Sequence, residues 1–329
     1  MSNRPAVAPM LAMAEQAEAL GFSSVWVGDS LTARPRHEPL TLLAAVAART
    51  RRVALGTAVL LPALRHPLVL AHLVATVDRV SEGRLILGVG RGAFAYEMAR
   101  LDCPLEHSRE KFDESLDVLM ALFTGEEVSW NGKYYKFAPL TVMPRPVTKP
   151  MPTIMIATVS LDGIYASAKR GFHIQTTPLN ATFEKMKEQV DAFQRGRAEL
   201  GKAGEHLRLA LSRVCIAARD DRHARSLLER AHSYYCRFDN VFTGPGIVQN
   251  GQIAELPGTR TMEQLNENLV ICTPSEMVDR LGAYAELGID DLIVNINVGL
   301  PREEAVEVIE RFAAEVMPHF VDKPRLVAS

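Results

Sequence analysis

The chain has few cysteines, almost no net charge and no long apolar run. Its four cysteines, Cys103, Cys215, Cys236 and Cys272, are scattered and form no C-x-x-C pair. A disulfide framework is therefore not expected, and a reduced, cytoplasmic setting fits better. No metal is expected. A formal net charge of −2 gives no global attraction to nucleic acid or to an anionic membrane. No uninterrupted apolar stretch approaches the roughly 18 residues of a membrane span, and no charged-then-apolar signal opens the chain. Internal repeats and low-complexity segments are also missing. The chain does have a hydrophobic content of 47 % over 329 residues. That supports a large core and admits either two domains or one α/β barrel.

The most informative stretch is residues 51–98, which reads strand, loop, helix, strand, glycine-rich loop. Val53–Ala58 is a short apolar run. Pro67 opens a helix in which Leu70, Leu73, Val74 and Val77 recur at helical spacing. Ser81-Glu82-Gly83 ends it, and Leu85–Val89 is a buried strand. Gly90-Arg91-Gly92 then sets one cation between two flexible residues. A backbone that can approach closely, beside a fixed charge, suits an anion. After a strand–helix unit, it suggests a phosphate-bearing cofactor at the C-terminal ends of parallel strands.

Helix and strand patterns alternate along the rest of the chain. Helices are expected at Met10–Leu20, Pro39–Arg49, about Ser108 to Phe123, 161–170, 182–200, 221–236, 274–287 and 302–317. Strands are expected at Ser24–Val27, Thr153–Ala157, Ile174–Thr176, Leu207–Ala217 and Leu292–Asn297. Trp130-Asn131-Gly132-Lys133 reads as a tight hairpin turn. Thr273-Pro274-Ser275-Glu276 reads as a capped helix start. Seven strand–helix repeats imply a parallel sheet, and a closed eight-stranded barrel is the nearest regular solution. An eighth strand would have to precede Met10, where Arg4–Ala8 makes a short one at best.

Several segments together resemble the bacterial luciferase-like flavin-dependent monooxygenases. They are AEALGFSSVWVGD, EPLTLLAAVAART, GTAVLL, RHPLVLAHLVATVDRVSEGRLILGVGRG, FDESLDVL, the GKYYKF hairpin, PRPVTKPMPTIMIA and TPSEMVDRL. The resemblance is dense from Ala14 to about Gly171, looser over Thr273–Phe320, and slight between residues 172 and 272. It implies an α/β fold of the (β/α)8 TIM-barrel type, as one domain over residues 1–329. An insertion follows strand seven, the first strand is short or incomplete, and residues 238–268 form a lid or an excursion.

The resemblance also implies a site. Arg91 stands where the family holds the flavin phosphate, and Arg109 stands for a second basic residue at the next helix. Backbone N–H groups of Thr158, Val159 and Ser160 complete the phosphate cradle before a helix start. Ala58–Val59 matches a non-prolyl cis peptide under the flavin ring. His66, before Pro67, is read as shaping a helix start. Close helix approach at Ala44, Ala45, Ala47 and Ala48 would serve a homodimer. Asp29, Ser30 and Glu97 are the catalytic candidates. Three positions depart from the pattern: Ser30 replaces a histidine, Gly90 a reactive cysteine and Phe94 a tyrosine. Ser30 cannot titrate near neutral pH. The implied function is a two-component monooxygenase that takes FMNH2 from a separate reductase and uses O2 on a small organic substrate. The alternatives are a coenzyme F420-dependent oxidoreductase on the same barrel and a non-catalytic flavin-binding protein.

Overall fold

A computed structural model describes residues 6–177, 183–242, 244–258 and 260–320. They gather into two compact units, one made of the chain up to Met155 with Val241–Ala254, the other of Ile156–Asn240 and the chain from Glu255 on. The first unit holds α1 (Val7–Ala19), β1 (Ser24–Val27), α2 (Pro39–Ala47), β2 (Ala54–Thr57), α3 (Pro67–Val80), β3 (Leu85–Val89), α4 (Ala95–Arg100) and α5 (Leu105–Thr124). A hairpin of β4 (Val128–Asn131) and β5 (Lys136–Leu140) follows, and β6 (Thr153–Ala157) carries the chain into the second unit. There follow α6 (Leu161–Lys169), β7 (His173–Thr176), α7 (Phe183–Ala198), β8 (Leu209–Ala217) and α8 (Asp221–Phe242). The short strands β9 (Val248–Gln249) and β10 (Gln252–Ile253) return to the first unit. Then come α9 (Met262–Asn268), β11 (Val270–Cys272), α10 (Pro274–Leu287), β12 (Asp291–Asn295) and α11 (Arg302–Arg311).

The expected α/β class is the one found. In the first unit β1, β2 and β3 pair in parallel, with Trp26 opposite Gly56 and Gly56 opposite Ile86. All five residues of β3 are buried, as a parallel strand covered on both faces requires. Gly56 makes room for an aromatic neighbour, since a Cβ there would lie 2.0 Å from the Trp26 ring. In the second unit β7 pairs with the start of β8, β12 takes residues 210–214 of β8, and β11 takes 215–217. Two successive partners explain why β8 runs to nine residues.

The D-R-x-S-x-G-R run that closes α3 is scaffold. Buried Asp78 accepts from the Val147 and Thr148 amides at 2.7 and 2.9 Å and from the Thr148 hydroxyl at 2.8 Å. Arg79 donates to the Arg145 carbonyl. Arg84 donates to the carbonyls of Ala47, Thr50, Ser81 and Val53, which closes the end of α2. Gly83, at φ 82°, makes the turn between them.

Several boundaries differ from the sequence expectation. Val7 and Ala8 are helical, not strand, because α1 begins at Val7; Arg4 lies outside the described residues. The hairpin at Trp130–Lys133 exists, but Asn131 is still paired with Lys136, so the loop is Gly132–Tyr135. Glu114 on α5 takes the place of tight-turn geometry by accepting from the amides of Lys133, Tyr134 and Tyr135. Thr273 sits at the start of α10 without a side-chain cap bond. The capping box belongs to α9 instead, between Thr261 and Gln264. Helix 221–236 continues to Phe242, and helix 302–317 is regular only to Arg311 before a wider turn over Phe312–Val316.

Candidate functional site

At the end of β1 the chain reads Gly28-Asp29-Ser30, and each residue has a structural reason. A Cβ on Gly28 would lie 2.2 Å from the Arg36 guanidinium. The almost fully buried Asp29 carboxylate pairs with Arg65 through both oxygens, at 2.6 and 3.1 Å. It also accepts from the Leu61 amide at 3.1 Å. The backbone runs alongside, with the Ala58 N–H donating to the Val27 carbonyl and the Asp29 N–H to the Val59 carbonyl. The Ala58–Val59 peptide bond within this staple is cis, as expected.

Ser30 and Glu97 are brought together. The Ser30 hydroxyl donates to Glu97 Oε1 at 2.7 Å, and the Thr32 and Ala33 amides donate to the same oxygen at 2.8 and 3.1 Å. Glu97 is 3 % exposed and rides on α4, so one carboxylate holds the whole loop after β1 against a short helix. Asp29 and Glu97 therefore both serve as acceptors of several donors. His66 does what its place before Pro67 suggests: its Nδ1 accepts from the Leu68 amide at the start of α3.

After β3, Gly92 adopts φ 86°, and a Cβ there would lie 2.6 Å from Met98 Sδ. Gly90 is conventional, and its N–H donates to the Leu60 carbonyl. Arg91 between them is exposed and makes no hydrogen bond or ion pair among the described residues. Arg109 is exposed on the second turn of α5, likewise without a partner among the described residues.

The hairpin of β9 and β10 packs in the first unit beside these loops. Val241, Val248 and Ile253 form an apolar cluster with Ala33, Phe94 and Tyr96. Phe94 and Tyr96 stack at 5.7 Å, and the Arg100 guanidinium lies 3.5 Å over the Tyr96 ring. The excursion thus rests on the loop that Glu97 organises.

In the second unit the loop Thr158–Ser160 leads into α6. Ser160 caps that helix by accepting from the Gly163 amide at 3.2 Å. The Thr158 N–H is committed to the Gln175 carbonyl at 3.1 Å. The Val159 and Ser160 amides have no such partner among the described residues, at the positive end of a helix. A Cβ on Gly163 would lie 2.4 Å from Thr158 Oγ1, which keeps this start compact. Burial pushes the Cys215 thiol up to about 12 and Cys272 to about 11, which keeps these two protonated and unreactive.

The sequence reading missed α4, the Arg65 partner of Asp29, and two buried polar side chains of the second unit, Thr176 and Arg213. The pair Asp29–Arg65 spans 36 positions, and no local spacing rule links residues so far apart. Arg213 carries a local signal, a lone cation inside the apolar pattern of β8.

Comparison with known proteins places both units in one context. The family model of luciferase-like monooxygenases matches residues 1–291. The oxygenase component of a flavin-dependent trigonelline monooxygenase from Acinetobacter baylyi is 27 % identical, over 94 % of this chain and 89 % of its own. An F420-dependent glucose-6-phosphate dehydrogenase from Beutenbergia cavernae is 30 % identical, over 97 % of this chain and 95 % of its own. The crystal structure of monooxygenase RslO1 from Streptomyces bottropensis superimposes with a TM-score of 0.83 at 27 % identity, covering 96 % of this chain and 94 % of that one. These similarities give the chain the (β/α)8 fold class expected from its sequence.

Proposed function

The chain belongs to the luciferase-like monooxygenase family and is an oxidoreductase, and from that premise we propose that it is the oxygenase of a two-component, FMN-dependent system. The observation that carries the reading is Arg91: an exposed cation without a partner among the described residues, set beside a glycine whose φ of 86° no side chain tolerates well. A charged residue left unpaired where the backbone can approach closely fits the phosphate end of a flavin. In the second unit, the Val159 and Ser160 amides at the start of α6 fit an anion in the same way, and Arg109 is a further exposed cation of the first unit. Reduced flavin, when bound, supplies the activation of O2. The protein binds and orients it and excludes water, and the apolar hairpin seated on Phe94 and Tyr96 suits the last task. Asp29, Ser30 and Glu97 hold the loop after β1 in place, with the Ser30 proton directed at Glu97 Oε1.

A separate reductase is proposed as partner, in keeping with the relative described as an oxygenase component. A homodimer is proposed through α3, where Val69, Leu73 and Val80 are exposed along one face. The four buried free thiols favour a reducing compartment. The test supplies FMNH2 from a free-standing reductase and follows O2 uptake, which should depend on an organic substrate. A second reading, an F420-dependent oxidoreductase, is favoured by the dehydrogenase relative at 30 % identity. Spectra of the bound cofactor separate the two, because oxidised FMN has two near-UV–visible bands and F420 has one dominant band. Substrate oxidation with F420 and none with FMNH2 would exchange the first reading for the second.

A further inference from the structure

The second unit buries a cation that no group among the described residues answers. Arg213 stands in the middle of β8 and is 5 % exposed. Its Nε is buried without a hydrogen-bond partner, and it makes no ion pair among the described residues. An arginine keeps its proton and carries five donors, so leaving one buried and unpaired is among the costlier features a fold can retain.

Its surroundings are polar in a selective way. Strand alternation sets Arg213 on the face opposite Val214 and Ile216, which pack with Leu227, Leu228 and Ala231 of α8. On the Arg213 face, neighbouring β7 presents Thr176, in register with Leu211 and so diagonal to Arg213. Thr176 is 3 % exposed, and its Oγ1 has no partner either. On the other side, β12 places apolar Val294 in register with Arg213. Tyr235 of α8 packs with the Val214 and Ile216 cluster of the opposite face. Another cation of this unit is already engaged: Arg260 pairs with Asp239 and lies 5.0 Å over the Tyr235 ring.

We infer that Arg213 and Thr176 form a recognition site for the carboxylate of an organic acid. One uncompensated charge matches a monoanion. The planar guanidinium offers two parallel donors to two oxygens, and the Thr176 hydroxyl supplies a further donor. A phosphate dianion would require a second free cation, and Arg260 is occupied. Calling this ligand the substrate rests on the oxygenase reading; the site itself does not.

The experiment uses the purified whole chain with acetate, benzoate and, as the neutral control, benzamide, followed by calorimetric titration and thermal melting. Wild type should bind benzoate at least about tenfold more tightly than benzamide. In Arg213→Met that preference should vanish, while the ligand-free melting temperature rises, because an apolar side chain replaces an unanswered charge. An arginine with a purely structural role would lower it. Thr176→Val should weaken benzoate binding with little change in melting, a second reading that does not depend on the charge. FMN affinity should be the same in Arg213→Met and wild type. Binding of neither acetate nor benzoate, equal binding of benzoate and benzamide, or loss of FMN affinity in Arg213→Met would each overturn the inference, the last by giving Arg213 to the cofactor. Benzoate binding through Arg213 in a protein that takes no FMN would leave the carboxylate site standing and remove the oxygenase reading.

Discussion

In the loops of the first unit, the charged residues with partners build the site, and Arg91, without one among the described residues, is free to bind. Asp29 and Glu97 look like acid–base candidates, yet each is consumed by several donors. Arg65→Met would leave the Asp29 carboxylate buried and unpaired, at a cost of about 3–5 kcal/mol; a denaturant midpoint close to wild type would mean the pair is dispensable. Arg91 is the opposite case. Arg91→Ala should leave folding untouched and weaken FMN by about 1–3 kcal/mol in a fluorescence titration. Equal affinity in the two proteins would withdraw the assignment. Residue identity at these positions was legible from the sequence, because glycine beside arginine and aspartate after a strand are local patterns. What each side chain answers to was not, since the Ser30–Glu97 and Asp29–Arg65 contacts join positions 67 and 36 apart.

At the scale of elements, the long ones with clear periodicity were readable, and the short ones depended on tertiary contacts. The helices α3 and α5 carry apolar stripes that any packing would bury. By contrast, α4 has six residues and β11 three, too short for a period to emerge. They exist because Glu97 finds donors in the loop after β1 and because β8 is long enough to take a second partner. The hairpin of β9 and β10 is the extreme case, with two residues per strand and its stability supplied by Ile253 and Val248 against Phe94 and Tyr96. An isolated hairpin of that size does not hold in water. Ile253→Ala should therefore release it locally, with loss of about 2–4 kcal/mol of protection. Amide exchange over residues 247–254 should quicken while β3 and β8 stay protected. Unchanged exchange there would show that backbone pairing alone holds the excursion.

For the molecule as a whole, the titration of one buried imidazole sets a pH limit on stability. His173 opens β7 and is 9 % exposed. Burial, with His206 and Arg208 beside it, lowers its pKa to about 4. Geometry agrees, because its Nδ1 accepts the Arg208 amide at 3.1 Å and has no room for a proton while it does. Above about pH 7 both folded and unfolded chains hold this ring neutral, and it contributes no pH dependence. As pH falls below 6.5 the unfolded chain takes up a proton that the folded chain refuses, so stability declines. The decline continues to about pH 4 and totals about 3 kcal/mol at roughly 1.4 kcal/mol per unit. Carboxylates whose pKa the fold lowers, such as Glu18 and Glu114, start from 4.5. Their contribution is present above that value and lost only below it. The interval between pH 6.5 and 4.5 therefore belongs to His173. Urea unfolding at half-unit steps should give a sloping stability across that interval for wild type and a nearly flat one for His173→Gln. Parallel slopes in the two proteins would assign the acid sensitivity to another group.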